Sequence, residues 1–196
     1  MKTNEHIDDK KIPVKGELYT LSNLISFSRA LIPIPIIALH QAAGEEATIA
    51  IAVLVAYAFF SDYLDGWAAR KFNQISEFGK VMDPLADKIT AGIMFMYMVW
   101  LGLIPLWFLL FLILRDGLIL AGSLMIKRQR GKVAMSTISG KIAVNVLAAY
   151  GIVAFFFPGF ELTILVLKWG TVTFMSLSFI RYVQRFIEIR QGAEFN

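Results

Sequence analysis

The chain has 196 residues, of which 57% are hydrophobic and only 17% charged, with a formal net charge of +4. An ordinary soluble domain has about 45–50% apolar and 25% charged residues, so this composition points away from a water-soluble globule. The absence of cysteine excludes disulfides, thiolate metal sites and cysteine nucleophiles. The two histidines, His6 in a polar tail and His40 at the end of the first apolar run, form no cluster for base catalysis or metal binding. The basic residues lie beside apolar runs, so an anionic membrane surface, and not nucleic acid, is the expected partner.

Residues 1–20 form a polar N-terminal segment. Within it Ile7, Ile12, Val14, Leu18 and Tyr19 alternate with charges, a pattern suited to a short interfacial helix that Pro13 and Gly16 weaken. The first apolar run contains Arg29, Pro33 and Pro35 and reads as a retained spanning helix, not a cleaved signal. Apolar runs at 21–41, 47–67, 82–101, 104–126, 137–158 and 161–187 each approach the roughly 20 residues that a spanning helix needs. The expected architecture is an all-α integral membrane protein: one six-helix domain over 21–190, with a short tail at 191–196. Lys and Arg gather in the N-terminal segment (Lys2, Lys10, Lys11 and Lys15), around Arg70, Lys71 and Lys80, in the stretch 127–132, and at Arg185 and Arg190. The opposite loops carry Glu45, Glu46 and Glu161 without a cation, so both termini are expected in the cytoplasm. Lys168, the one cation in the outer half, is expected to snorkel.

The second run is strictly apolar only from Ala47 to Ser61, which at about 1.5 Å per residue falls short of a roughly 30 Å hydrocarbon core. Its helix must continue through Asp62 and Asp65, and the third must start early enough to include Asp83 and Asp87. Spacings of three and four put each pair on one helical face, and the short connection brings the two faces together. Solvation explains one acidic pair at a helix end. Four converging carboxylates cannot all stay ionised without cations, and hard divalent ions with oxygen ligands answer that need. Two such ions could clamp a pyrophosphate. Gly66, Ala69 and Gly79 are small where a ligand or a neighbouring helix would approach, and Arg70 can offer a forked donor to phosphate. A carboxylate-ringed cation channel or transporter is the rival class, against which the four Asp lie near one face and the two halves show no repeat.

The pattern Asp62-x-x-Asp65-Gly66-x-x-Ala69-Arg70, eight residues, then Gly79-x-x-x-Asp83-x-x-x-Asp87 resembles the complete signature of the CDP-alcohol phosphotransferases, membrane enzymes of phospholipid synthesis. The resemblance implies a six-helix fold, a homodimer, and attack of an alcohol on the β-phosphorus of a CDP-linked lipid with release of CMP. It implies that Asp62, Asp65, Asp83 and Asp87 hold two Mg2+ or Mn2+ ions and that Asp87 is the general base. Gly66, Ala69, Arg70 and Gly79 would receive the CDP group.

The stretch Thr20-Leu21-Ser22-Asn23-Leu24 with Arg29, and Asp83-Pro84-Leu85-Ala86-Asp87-Lys88, resemble the branch of phosphatidylglycerophosphate synthases and CMP-forming cardiolipin synthases. The first, the expected reading, implies CDP-diacylglycerol as donor and glycerol 3-phosphate as acceptor; the second, the alternative, implies phosphatidylglycerol as acceptor. Arg115, Lys141 and Arg181 are candidates for gripping an acceptor phosphate. Alternatively Arg115 forms a structural pair with Asp116, Lys141 marks a helix end, and Arg181 snorkels. After Lys141 the glycerophosphate enzymes usually carry a further Lys, a Thr and a Gln, where this chain has Ala143, Val144 and Leu147. Without an extended presequence, a prokaryotic inner membrane with a cytoplasm-facing site is the expected location.

Overall fold

The structure, a computed structural model, describes the backbone of residues 21–71, 77–130 and 138–190, and within these the side chains of 24–25, 27–61, 85–126 and 140–189. The N-terminal segment and the tail fall outside the described residues. Among the described residues the fold is all-helical: α1 (Leu21–Leu31), α2 (Pro33–Ala43), α3 (Thr48–Lys71), α4 (Glu77–Trp100), α5 (Leu106–Arg130), α6 (Ile138–Phe156) and α7 (Glu161–Arg190), with a 3₁₀ turn at Gly44–Ala47. Three stretches among the described residues, Phe27–Ser61, Leu106–Ile126 and Glu161–Ile189, are long and apolar enough to cross a bilayer. Large apolar side chains stand exposed on every helix, among them Leu24, Ile34, Phe60, Trp100, Leu114, Val144 and Leu162. Water does not tolerate so much contiguous apolar surface, whereas lipid is its proper solvent. The protein is an integral membrane protein.

The chain forms two compact units, Met1–Met94 and Phe95–Asn196. In the first, the single helix expected over 21–41 is two helices of 11 residues each. Proline explains the break. Residue 33 has no N–H to donate to the Arg29 carbonyl four residues back, so the Ile32 N–H takes that carbonyl in a tighter turn at 3.1 Å. The next bond, Ile36 N–H to the Ile32 carbonyl at 3.3 Å, resumes the helix, with Ile32, Pro33 and Ile36 buried. At Gly44, φ is 53°, a conformation that favours glycine, and its N–H caps the His40 carbonyl. The chain then reverses, and α3 runs back along α2 and α1. A 2.8 Å hydrogen bond between the Ser28 and Tyr57 hydroxyls fixes that antiparallel register.

α3 and α4 each have 24 residues, about 36 Å of helix. As expected, α3 continues past positions 62 and 65, and α4 begins well before positions 83 and 87. The C-terminus of α4 closes in a Schellman motif: Gly102, with φ 74°, donates to the Val99 carbonyl and Leu103 to that of Met98, both at 3.0 Å.

In the second unit, Phe95, Met98, Ile104, Phe108, Leu109, Tyr150 and Ala154 form one core, in which the Phe108 and Tyr150 rings meet edge to face at 4.9 Å. α6 and α7 form a close hairpin. Helices in lipid associate through tight packing, which small residues permit. A Cβ at Gly170 would lie 3.7 Å from Val146, one at Gly151 3.4 Å from Phe95, and one at Gly122 only 3.0 Å from the Tyr182 hydroxyl. That hydroxyl is held by its 2.9 Å hydrogen bond to the Ile119 carbonyl and cannot retreat without losing it. The Lys168 ammonium lies 5.9 Å from the Trp169 ring centroid, and Trp169 in turn meets Trp107.

Gly122→Ala is therefore expected to lower the thermal midpoint in detergent, by an overpacking cost of about 1–3 kcal/mol. Gly92→Ala, whose added methyl meets nothing within 4 Å, leaves the midpoint unchanged or raises it. Tyr150→Phe removes a buried hydroxyl that has no hydrogen-bond partner among the described residues, and the same melt is expected to show no loss.

Candidate active site

The signature residues fall on two consecutive helices. α3 carries Asp62, Asp65, Gly66, Ala69 and Arg70 in its last turns, and α4 carries Gly79, Asp83 and Asp87 in its first three. Positions 62 and 65, and positions 83 and 87, are each about one helical turn apart. The side chains of Asp62, Asp65, Asp83, Arg70 and Ala69, and the surroundings of Gly66 and Gly79, lie outside the described residues. Asp87 is thus the only one of the four carboxylates whose contacts are described. Among the described residues no group of three or more His, Asp or Glu is placed to hold a metal ion.

Asp87 is held from α1. The Arg29 Nε lies 2.8 Å from Asp87 Oδ1; the guanidinium side chain is 3% exposed and the carboxylate half exposed. An arginine keeps its charge, so burial obliges it to find a counter-ion, and the carboxylate one helix away supplies it. A hydrogen bond accompanies this ion pair: the Thr90 hydroxyl, one turn beyond Asp87, shares its proton between the Ala86 carbonyl of its own helix at 2.9 Å and the Arg29 carbonyl at 3.0 Å. That carbonyl is reachable because Pro33 cannot occupy it. Alongside, Ser28 reaches Tyr57 on α3, while Ser61, fully buried, donates back to the Ala58 carbonyl. α1 is thereby tied to both helices that carry the signature. The sequence shows Arg29 inside an apolar run, four residues before a proline, and within a family-like stretch, but does not reveal its pairing with Asp87.

The remaining candidates lie in the second unit. Arg115 donates to Asp116 Oδ1 at 2.8 Å and to the Ser178 hydroxyl at 3.1 Å, joining α5 to α7. The structural pair with Asp116 is therefore present, and buried Ser178 is a partner that the sequence did not reveal. Lys141 and Arg181 are exposed and form no ion pair with another described residue. Antiparallel packing fixes their level: Val146 faces Gly170, so Lys141 lies level with about residue 175 of α7. Ser178, with Arg115 on it, and Arg181 follow within roughly 9 Å along that helix. The three cations thus share one depth in the second unit.

Residues 19–177 match the family model of CDP-alcohol phosphatidyltransferases. The chain belongs to this family. A CDP-diacylglycerol–glycerol-3-phosphate 3-phosphatidyltransferase of Bacillus subtilis is 33% identical over 137 residues, covering 64% of this chain and 70% of the relative. A probable CMP-forming cardiolipin synthase of Drosophila melanogaster is 30% identical over 130 residues, 64% of this chain and 39% of the relative. A CMP-forming cardiolipin synthase of Streptomyces coelicolor is 35% identical over 105 residues, 52% of this chain and 48% of the relative. The chain thus spans less than half the length of these two cardiolipin synthases. A CDP-alcohol phosphatidyltransferase is a membrane-embedded transferase of phospholipid synthesis, which agrees with the helical, apolar fold.

Arg115→Ala removes the ion pair to Asp116 and the hydrogen bond to Ser178 that joins α5 to α7, and is expected to cost about 1–3 kcal/mol of stability. Thermal unfolding in detergent measures this; an unchanged midpoint together with a raised KM for the acceptor would instead make Arg115 a substrate contact.

Proposed function

We propose that the protein transfers a phosphatidyl group from CDP-diacylglycerol to the primary hydroxyl of glycerol 3-phosphate and releases CMP. The observation that carries this reading is the intact signature on two consecutive helices of a family member, with its last carboxylate, Asp87, held by Arg29. Asp62, Asp65, Asp83 and Asp87 offer only carboxylate oxygens, a donor set that fits two hard divalent ions such as Mg2+ or Mn2+. When bound, such ions would neutralise the pyrophosphate and the charge that develops in transfer.

The chain's own residues do the rest. Arg29 pairs with Oδ1 of Asp87 and holds the carboxylate on the α1 side of α4. Asp87 accepts the proton of the attacking hydroxyl while the new O–P bond forms and the bond from phosphorus to the CMP oxygen breaks. Arg70 donates to the departing phosphate, and Gly66, Ala69 and Gly79 leave room for cytidine and its phosphates. Lys141 and Arg181 attract the acceptor's phosphate, while Arg115 ties α5 to α7.

The topology that suits this chemistry has six spans and both termini in the cytoplasm of a prokaryotic inner membrane, so that the soluble acceptor reaches the site from the cytoplasm. α1 and α2 together make the first span. A homodimer completes the reading, on the family's pattern.

One observation favours a second acceptor. Ala143 is fully buried and Leu147 packs against the core, so neither offers a polar group where glycerophosphate enzymes usually carry one. A lipid acceptor, phosphatidylglycerol, would need fewer such groups, and the product would then be cardiolipin.

The test is CMP release by the purified protein in detergent with CDP-diacylglycerol and Mg2+. Release that depends on glycerol 3-phosphate is expected, as is its loss on chelation and recovery with Mg2+ or Mn2+. Asp65→Asn is expected to abolish turnover without loss of folded protein; Asp87→Asn, which takes the charge from the partner of Arg29, is expected to abolish turnover and to lower the thermal midpoint in detergent as well. Release only with phosphatidylglycerol would transfer the assignment to cardiolipin synthesis, and full release in a chelated sample would overturn the metal-dependent mechanism.

A further inference from the structure

Asp87 is not positioned by its own helix alone. The Arg29 side chain grips its Oδ1 at 2.8 Å, and the Arg29 main chain grips the same helix one turn later through Thr90 at 3.0 Å. These two contacts leave one residue of α1 in two directions and land on one stretch of α4, so they tie α4 to α1 on either side of Asp87. The device depends on Pro33. An ordinary residue there would donate its N–H to the Arg29 carbonyl and compete with the Thr90 hydroxyl for it; proline cannot, and the Ile32 N–H occupies only one side of that oxygen. Burial makes the latch rigid, since Arg29 is 2% exposed and has no water in which to swing.

We infer that Arg29, with Thr90 and Pro33, is a positioning latch that sets the Asp87 carboxylate for proton acceptance, which rests on the general-base role proposed above. In this latch Arg29 acts through Asp87. It therefore controls turnover and not substrate affinity. A misplacement of about 1 Å at a reacting group can lower a rate by roughly a hundredfold, the scale expected here.

The experiment compares kcat and KM for CDP-diacylglycerol, with the acceptor saturating, in the full-length protein and its Arg29→Gln, Arg29→Lys, Thr90→Val and Pro33→Ala variants, with thermal midpoints measured in parallel. Arg29→Gln is expected to lower kcat about a hundredfold with KM within about threefold. Arg29→Lys, which restores a cation, should recover at least about a tenth of the wild-type kcat. Thr90→Val and Pro33→Ala should each lower kcat several-fold at unchanged KM. If Arg29→Gln does not fold, Thr90→Val decides the matter, because it leaves the ion pair intact. Wild-type kcat in Thr90→Val and Arg29→Gln, or a raised KM at unchanged kcat, overturns the latch. So does Arg29→Lys no more active than Arg29→Gln. Wild-type protein that releases no CMP would instead refute the proposed function, a different failure read from the same assay.

Discussion

A guanidinium inside a bilayer constrains everything around it. It cannot shed its charge, it has little water to turn to, and its partner must be ionised and close. Arg29 meets that requirement with Asp87, and the pair dictates that α1 lies against α4 at one register. The ends of the neighbouring helices follow. α1 breaks after Leu31 because proline at 33 withholds the N–H that would close its last turn, and the same withheld bond frees a carbonyl for Thr90. α3 joins through Ser28 and Tyr57. A segment that looks like a defective spanning helix is thus the element that organises the signature helices.

Elsewhere in the membrane the chain relies on shape. Hydrophobic attraction between helices is weak where lipid is as apolar as leucine, so close packing and a few polar ties must suffice. In the second unit glycines at 122, 151 and 170 let neighbouring side chains approach to contact distance, and Tyr182 spans from α7 to the Ile119 carbonyl. Arg115, Asp116 and Ser178 form a second intramembrane polar tie, between α5 and α7. Both arginines obey one rule: a cation in the apolar interior takes a carboxylate and a second helix with it. Arg29 does this beside the signature, Arg115 between α5 and α7 of the second unit.

Much of this was legible in the sequence. The shortfall of apolar length before Asp62 and after Asp87 required α3 and α4 to carry the carboxylates, and both helices do extend through those positions. Charge bias and run length gave the helical, membrane-embedded class. The Arg115–Asp116 pair could be anticipated because the two residues are adjacent. Three features could not. Which carboxylate Arg29 would choose depends on a contact 58 positions away, and periodicity carries no information across that separation. Ser178 and Thr90 look like ordinary small polar residues of apolar helices until a partner faces them. The split of the first run was signalled by Pro33 and Pro35, but a spanning helix can absorb a proline as a kink or end at it, and local sequence does not decide between the two.

The central claim is that the carboxylates of α3 and α4 act together as a divalent-ion site for a CDP-linked substrate. Titration of the purified protein with Mn2+ in the presence of CDP, followed by electron paramagnetic resonance, tests it without relying on turnover or on the identity of the acceptor. Two bound ions per chain are expected, displaced by Mg2+ and lost when Asp62 and Asp65 are replaced by Asn. Wild-type protein that binds no more Mn2+ than that double variant would contradict the claim.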